Sequence, residues 1–539
     1  MKYFSIVFGA LLISCALFAT PSHATFPNAD ISQWNTKEVQ ELDDPDYASA
    51  RELVHQKKYQ EALDLLNTKI EHYPREATPV YLKASTLIEM GKYKEASVVL
   101  TQAYKMEQYH PAAHYTFCQL HREMGKGESS LRSCVITAQQ HPDSAQALYE
   151  YSVTLNALGQ MEKANTQLLK AEQLDPGNPE YSYQIGLNYS YLNDNAQAEQ
   201  AFLNALRIDS KHLNSLYQIA YLYAAQGKSE QAMSYLKQLL DSNEVFPKQE
   251  SAERLLDYIK KGETSKLPLK IVPHNYHVGR SKSFYQSKKY GPALIEIETA
   301  ARLRPNDPSI LEIKIGVSSF LLRLKETEDT INQLLEVIGN NPQISARSFQ
   351  EMGDVQLMRG NLEMAKKLYE KAKTLDDPNG ISRISLDEFP DMDAKPFPEK
   401  LENELFIDPA EALNKKGEVF LFYGMYERAL ANFSLALKVQ PNHLFSILNT
   451  ATAYKKSGQR NRAISILEGL LVSQPKHAYL SAHLLLLGQC YFEAGNSAKG
   501  ITHIENAIAI SPQIRQLIQE DPAYEQIKES AAFKDKFPE

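Results

Sequence analysis

The chain has 539 residues, of which 43% are hydrophobic and 23% charged. It is long enough to bury a large core, and its composition excludes a collagen, a largely disordered chain and a disulfide-stapled miniature domain. Lysine and arginine total 58 against 66 acidic residues, a net charge of -8. The chain therefore lacks the excess of basic residues that is typical of nucleic-acid binders and of polybasic membrane binders.

The first predicted element is a signal peptide at residues 1–24. Lys2 precedes an uncharged, mostly apolar run, and small residues occupy the two positions that a signal peptidase reads before the exit at Ala24. A stretch similar to a bacterial lipobox ends at Cys15, so lipidation there is the alternative to cleavage after Ala24. In both cases we expect an exported protein in the periplasm. An outer-membrane lipoprotein and a secreted protein are the alternatives.

A 34-residue period follows an N-terminal linker or cap at residues 25–41, which contains Trp34. Residue types that tolerate a left-handed backbone recur at this spacing, at Gly91, Gly125, Gly159, Asn193 and Gly227. A small side chain stands five residues after each of them, and another stands seven residues before. Each period therefore predicts two helices that are joined by a tight turn and packed closely at the small side chains.

The period divides the rest of the chain into arrays and interruptions. In chain order we predict six units (42–246), a joint helix and linker (247–274), three units (275–376), an acidic insert (377–408), three units (409–512) and a C-terminal cap (513–539). The insert carries nine acidic residues against three basic ones and four prolines, so it predicts a mobile loop. The cap would cover the apolar face that the last unit leaves open.

This pattern resembles the tetratricopeptide repeat (TPR), whose 34-residue unit is a helix–turn–helix. The unit with Gly417, Ala429, Phe433 and Pro441 matches the family pattern most closely within the chain. The resemblance implies an all-α fold, namely a right-handed superhelical solenoid of about twelve units in two halves with a C-terminal capping helix. Together with the signal peptide, it is typical of an exported bacterial TPR protein.

A row of tyrosines precedes the first small site of each of the first six units by three residues, and the later units lack it. The resemblance places this row on the concave wall, where TPR proteins usually bind peptides. Tyrosine suits such binding because it offers flat apolar area and a hydroxyl group. The alternative is that the tyrosines only pack between units. The predicted groove comprises Tyr47, Tyr81, Tyr115, Tyr149, Tyr183, Tyr217, Arg51, Gln119, Arg122, Asn156 and Tyr221.

No motif in the chain indicates catalysis or metal binding. His110, His114, Cys118 and His121 follow one helical face, but three of them fall on packing positions, whereas a structural zinc site needs four convergent ligands. We therefore predict no enzyme, no cofactor and no metal. Cys118 and Cys134 are expected on facing helices about one turn out of alignment, and we interpret them as two buried small hydrophobic side chains rather than a disulfide.

The predicted function is a non-catalytic interaction scaffold or assembly adaptor of the cell envelope, which binds a peptide or helix along its concave surface. The alternative is a carbohydrate-binding or enzyme-accessory module for exopolysaccharide export or assembly, with sugars stacked on the tyrosines. We expect a protein or peptide partner, no nucleic acid, and membrane contact only through the alternative lipid anchor. The acidic insert is a hypothetical internal occupant of the groove or an attractant for a basic partner.

Overall fold

The computed structural model describes residues 45–110, 112–242, 246, 248–339, 341–375, 397, 401 and 408–537. All regular elements in these ranges are helical, which confirms the all-α prediction. The predicted signal peptide, the alternative lipidation site Cys15, Trp34 and nearly all of the acidic insert lie outside the described residues. Within them, no helix combines the length and the apolar character needed to cross a bilayer.

The first twelve described helices form six consecutive pairs. They are α1 (Pro45–His55) and α2 (Tyr59–His72), α3 (Thr78–Glu89) and α4 (Tyr93–Met106), α5 (Ala112–Glu123) and α6 (Gly127–Gln140), α7 (Ala145–Ala157) and α8 (Met161–Leu174), α9 (Pro179–Tyr191) and α10 (Asn195–Ile208), and α11 (Leu213–Ala225) and α12 (Ser229–Leu240). The two helices of a pair pack on each other, and the second also packs on the first helix of the next pair. We call these pairs units one to six.

One α-helix, α13 (Gln249–Lys260), and a short 3-10 helix (Thr264–Lys266) separate these units from the next ones. Units seven to twelve are α14 (Pro273–Gln286) and α15 (Tyr290–Leu303), α16 (Pro308–Phe320) and α17 (Leu324–Ile338), α18 (Pro342–Met358) and α19 (Leu362–Thr374), α20 (Pro409–Phe422) and α21 (Tyr426–Val439), α22 (Leu444–Lys456) and α23 (Arg460–Ser473), and α24 (Leu480–Glu493) and α25 (Ser497–Ile510). Three short helices follow, α26 (Gln513–Glu520), α27 (Glu525–Lys528) and α28 (Ala531–Lys536).

The turns within the units have the left-handed backbone that their residue types predict. Gly91 and Gly125 have φ of 74°, and Asn193 has φ of 62°. Lys57, one period before Gly91, takes the same conformation at φ 59° although it is not a glycine. The 34-residue spacing of these residues therefore determines where the first helix of each unit ends, because the chain reverses direction at one left-handed residue per unit.

The core of each unit lies where small side chains let its two helices approach. Ala62, Ala96 and Ala164 are fully buried on second helices. Gly186 on α9 lies so close to its partner helix that a Cβ atom there would come within 2.5 Å of the Phe202 ring. At the end of the chain, α26 to α28 bury apolar side chains against α24 and α25, which forms the cap over the last unit.

By their contacts, the described residues form two compact parts. One lies within residues 45–348 and includes 408, and the other comprises 349–375, 397, 401 and 409–537. The boundary lies within α18, and units seven and eight pack against units three and four.

Units seven and eight fold back onto the ends of units three and four. Helix α15 packs on α5 and α7. Thr299 Oγ1 donates a hydrogen bond to Ala157 O at 2.8 Å, and Arg323 Nη2, which follows α16, donates to Met124 O at 2.8 Å. Both acceptors are backbone carbonyls at the ends of first helices, which have no partner within their own helix. Thr299 and Arg323 therefore cap the C-terminal ends of α7 and α5, respectively.

Gly291 allows this close packing, and its replacement by alanine should disrupt it. A Cβ atom there would lie 2.0 Å from Glu123 O and 2.5 Å from Gly125 N. Because both neighbours are backbone atoms, we expect Gly291→Ala to lower the free energy of unfolding by about 1–3 kcal/mol or more, measured by urea denaturation. Gly279→Ala in α14 is the control, since nothing lies within 4 Å of its added Cβ. Equal stability of the two variants would contradict this packing.

Cys118 and Cys134 form a disulfide, so their interpretation as two separate thiols is wrong. Their Cα atoms are 5.2 Å apart, within the range that a disulfide spans. Ser130 lies one turn before Cys134, and its Oγ donates to Cys118 O at 2.9 Å. The expected offset of one turn is therefore real, but the two helices approach so closely at these small residues that the sulfur atoms still meet. Among the described cysteines, Cys490 remains free and buried.

Candidate partner-binding surface

In units one to six, the first helices of neighbouring units contact each other and form one wall, which we call the inner wall. Three of the predicted tyrosines are buried in it. Tyr47 Oη donates to Glu76 Oε1 at 2.6 Å, and Tyr81 Oη donates to Glu107 O at 2.9 Å. Because each acceptor lies between that unit and the next, these tyrosines join consecutive units. Tyr183, the third, is also buried.

Tyr115 and Tyr149, in units three and four, are only half-buried. Gln146, an exposed residue of α7, donates from Nε2 to Tyr115 Oη at 3.5 Å. The Tyr149 ring lies 5.7 Å from that of Tyr181. Burial, and secondarily nearby glutamates, raises the pKa of both half-buried hydroxyls. They therefore stay protonated and can donate as well as accept hydrogen bonds.

A polar network lies beside these two tyrosines, with Arg122 at its centre. Arg122 forms an ion pair with Glu150 and lies 3.8 Å from Glu123. Gln119 Nε2 donates to Glu89 Oε1 at 2.8 Å. Burial raises the pKa of Glu123, and the nearby Arg122 and Lys289 oppose this shift. The network gives units two to four a set of polar groups that hold one another in place.

The other predicted groove residues occupy different environments. Arg51 is half-buried on α1. Gln119 and Asn156 are buried, and Asn156 Oδ1 has no hydrogen-bond partner among the described residues. Tyr217 packs on Phe246, with 5.8 Å between the ring centroids.

The chain itself covers the inner wall at units five and six. Tyr221 Oη donates to Pro268 O in the joint at 3.3 Å. The Asn193 side chain pairs with the backbone of Ile271, accepting from its N–H at 2.7 Å and donating to its carbonyl at 3.2 Å. Beyond this linker, α14 faces the inner wall. The predicted groove is therefore not continuous along all six units.

A pocket of about 250 Å³ remains between α14 and the inner wall of units five and six. It is lined by Tyr183, Gln184, Leu187, Gln218, Lys248, Tyr276, Arg280, Ser283 and Phe284. Of the lining residues only Tyr183 is among the predicted groove residues, because the pocket exists only where unit seven folds back. The available signal was the spacing of Tyr276, Arg280 and Phe284, which places aromatic and basic side chains on one face of a helix.

A buried cluster of polar and charged side chains connects α14 to α9 and α15. Glu296 and His277 have no exposed surface. His277 Nδ1 lies 2.6 Å from Glu296 Oε2, and its Nε2 lies 3.3 Å from Tyr191 Oη. Arg280 Nε donates to the other carboxylate oxygen, Glu296 Oε1, at 2.7 Å. A single carboxylate thus holds two side chains of α14.

Three segments of the chain match models of known protein families. Residues 179–212 and 213–246 each match a tetratricopeptide-repeat model, and these ranges contain units five and six. Residues 39–103 match the model for subunit 3 of the anaphase-promoting complex, or cyclosome. The chain is a tetratricopeptide-repeat protein. Such repeats generally mediate protein–protein interactions and are typically non-catalytic. A search of curated proteins finds no match to this TPR protein.

Solved structures of other TPR proteins resemble parts of the chain. PilF of Pseudomonas aeruginosa is 16% identical, with 44% of this chain and 96% of that one covered and a TM-score of 0.30. YrrB, a TPR protein with an unusual peptide-binding site, is 18% identical over 36% and 97%, with a TM-score of 0.29. MamA of Desulfovibrio magneticus is 19% identical over 33% and 97%, with a TM-score of 0.26.

His110, which precedes α5, and His114 and His121 within it all lie against aromatic rings in this TPR protein. His110 stacks on Tyr81 with 4.6 Å between the ring centroids, and its Nε2 lies 3.0 Å from Thr78 Oγ1. Burial lowers the pKa of both His110 and His114 to about 4. Cys118 is in the disulfide. Among the described residues, no three histidine, cysteine or acidic side chains are grouped so that they could hold a metal ion.

Proposed function

We propose that this TPR protein is an interaction scaffold that binds an extended or helical peptide of a partner protein across the inner wall of units two to four. The observation that carries the proposal is the polar network around Arg122, next to two half-buried tyrosines in consecutive units. Tyrosine and arginine are enriched among the residues that dominate protein interfaces. Farther along the chain, the joint and α14 cover the inner wall.

The charge of this surface favours a partner with basic residues. Glu89, Glu123 and Glu150 outnumber Arg122 and the nearby Lys289, and the whole chain has a net charge of -8. Complementary charge chiefly speeds association and discriminates between partners, whereas the aromatic side chains supply contact area. A basic peptide with apolar side chains at helical or extended spacing meets both requirements.

We further propose that the protein works outside the cytoplasm, as an assembly adaptor of the cell envelope. The disulfide between Cys118 and Cys134 supports this compartment, because such bonds persist in oxidising environments. The signal-peptide pattern around Lys2 and Ala24 supports it independently. An adaptor of this kind would hold a partner by binding alone.

Site-specific photo-crosslinking in cells tests the peptide-binding surface. A photoreactive residue at Gln146, exposed beside Tyr115 on the inner wall, should give a discrete protein adduct. The same residue at Lys163, exposed on the second helix α8, should not. We expect the double variant Tyr115→Ala and Tyr149→Ala to reduce the Gln146 adduct at least tenfold, since each interfacial tyrosine contributes roughly 1 kcal/mol or more.

Tyr235→Ala provides the control for loss of a half-buried tyrosine, because this residue lies on the second helix α12. All variants are first compared by circular dichroism and thermal unfolding. Equal adducts from Gln146 and Lys163, or an adduct that the folded double variant retains, would contradict the proposal. If no protein is captured and glycans quench tyrosine fluorescence only in the unmodified protein, the carbohydrate-binding alternative replaces it.

A further inference from the structure

The pocket between the inner wall of units five and six and α14 has the composition of a binding site. Gln184 and Leu187 of α9 form one side, and Phe284 of α14 forms the other. We propose that this pocket binds a carboxylate group carried on an apolar or aromatic residue. The C-terminal residue of a peptide and a small organic acid are two sources of the same chemistry.

The positive charge of the pocket comes from Lys248 and Arg280. Lys248 has no ion pair among the described residues, and its ammonium lies 6.0 Å from the centroid of the Tyr217 ring. Arg280 donates to Glu296 and, at 3.4 Å, to Tyr276 Oη, and it lies 5.6 Å from the Tyr276 ring and 5.4 Å from the Phe284 ring. The cation at Lys248 is thus available to an anion.

Two acidic groups bond lining residues, and both already have partners: Glu296 pairs with Arg280 and His277, and Glu180 bonds Gln184. Glu180 Oε1 accepts from Gln184 Nε2 at 2.7 Å, and Glu180 Oε2 lies 3.5 Å from His212 Nε2. Burial is the main cause that lowers the pKa of Lys248, and the nearby Arg280 adds to it. An anion in the pocket would oppose both effects, because it favours the protonated ammonium.

The remaining lining residues suit a small acid rather than a bare ion. Gln184, Gln218 and Ser283 carry hydrogen-bond donors, whereas Leu187 and Phe284 present apolar surface. The volume of about 250 Å³ lies below the roughly 300–1,000 Å³ typical of sites for drug-sized ligands. The pocket therefore suits one end group of a larger molecule or a compact acid.

Titration calorimetry on the full chain tests this proposal with defined probes. We expect N-acetylphenylalanine to bind, and we expect its amide, which lacks the charge, and inorganic phosphate, which lacks the ring, to bind at least tenfold more weakly. Lys248→Ala should weaken binding of the acid about tenfold, as expected for a hydrogen bond to a charged group. Lys261→Ala is the matched control, since Lys261 is exposed on the surface and pairs with Asp257.

A tetrapeptide with a C-terminal phenylalanine distinguishes the two sources. Tighter binding of the tetrapeptide than of N-acetylphenylalanine identifies a peptide end, and the reverse order identifies a free acid. Ser283→Trp should abolish binding by filling the pocket while Lys248 remains. The proposal is overturned if the acid does not bind at millimolar concentration, if its amide or phosphate binds equally well, or if the folded Lys248→Ala or Ser283→Trp variant binds unchanged. The crosslinking at Gln146 probes a different surface, so either proposal can fail alone.

Discussion

Replacement of Glu296 by glutamine should lower the free energy of unfolding of the part that contains residues 45–348 by about 3–5 kcal/mol. The carboxylate is fully buried and pairs with both His277 and Arg280. Glutamine has nearly the same shape but no charge, so the guanidinium of Arg280 would remain partly buried without a counter-ion. Urea denaturation measures the loss. Faster proteolysis in the linker between α13 and α14 should accompany it, because this cluster holds α14 in place.

A second variant distinguishes the loss of a counter-ion from general damage to the core. Glu296→Gln combined with Arg280→Met removes both charges, and we expect it to be less destabilised than Glu296→Gln alone. Asp257→Asn is the surface control, because its ion pair with Lys261 is exposed and such pairs contribute about 0–1 kcal/mol. If the double variant is no more stable than Glu296→Gln, the ion pair does not account for the effect.

Loss of the disulfide between Cys118 and Cys134 should lower the free energy of unfolding by about 3 kcal/mol. The bond closes a loop with a sequence separation of 16, and loops of about that length give stabilisation of this size by restricting the unfolded chain. We expect the double variant Cys118→Ser and Cys134→Ser to show this loss in urea, together with faster hydrogen exchange in α5 and α6.

The reductant response is the control for this prediction. Dithiothreitol should destabilise the unmodified protein and Cys490→Ala equally, because Cys490 is free and buried. It should leave the Cys118→Ser and Cys134→Ser double variant unchanged. Alkylation of the unfolded, unreduced protein followed by peptide mapping must find both cysteines protected. Their modification without reductant would exclude the bond.

The helical units were predictable from the sequence because their determinants are local. A left-handed residue such as Gly91 or Asn193 ends one helix, and small residues at fixed offsets such as Ala96 determine where the next helix packs. Both signals lie within a single period, so no knowledge of the rest of the chain is needed. The all-α prediction required nothing more than their repetition.

The candidate surface was less predictable because it depends on contacts between distant segments. The period treats Tyr115 and Tyr183 alike, yet Tyr115 is half-buried whereas Tyr183 is buried beside the pocket that α14 encloses. Nothing in the spacing shows that Gly291 would pack on Glu123. The disulfide was missed for a related reason, since a sequence offset of one turn does not give the separation between two helices.

The return of units seven and eight onto units three and four changes how this array can lose its structure. In an ordinary solenoid each repeat touches only its neighbours, so unfolding can start at one end and proceed unit by unit. Here the bonds from Thr299 to Ala157 and from Arg323 to Met124 join residues 142 and 199 positions apart. Long loops must close before such contacts form, which slows folding. Once formed, they couple units three and four to units seven and eight, so we expect these repeats to unfold together rather than one after another.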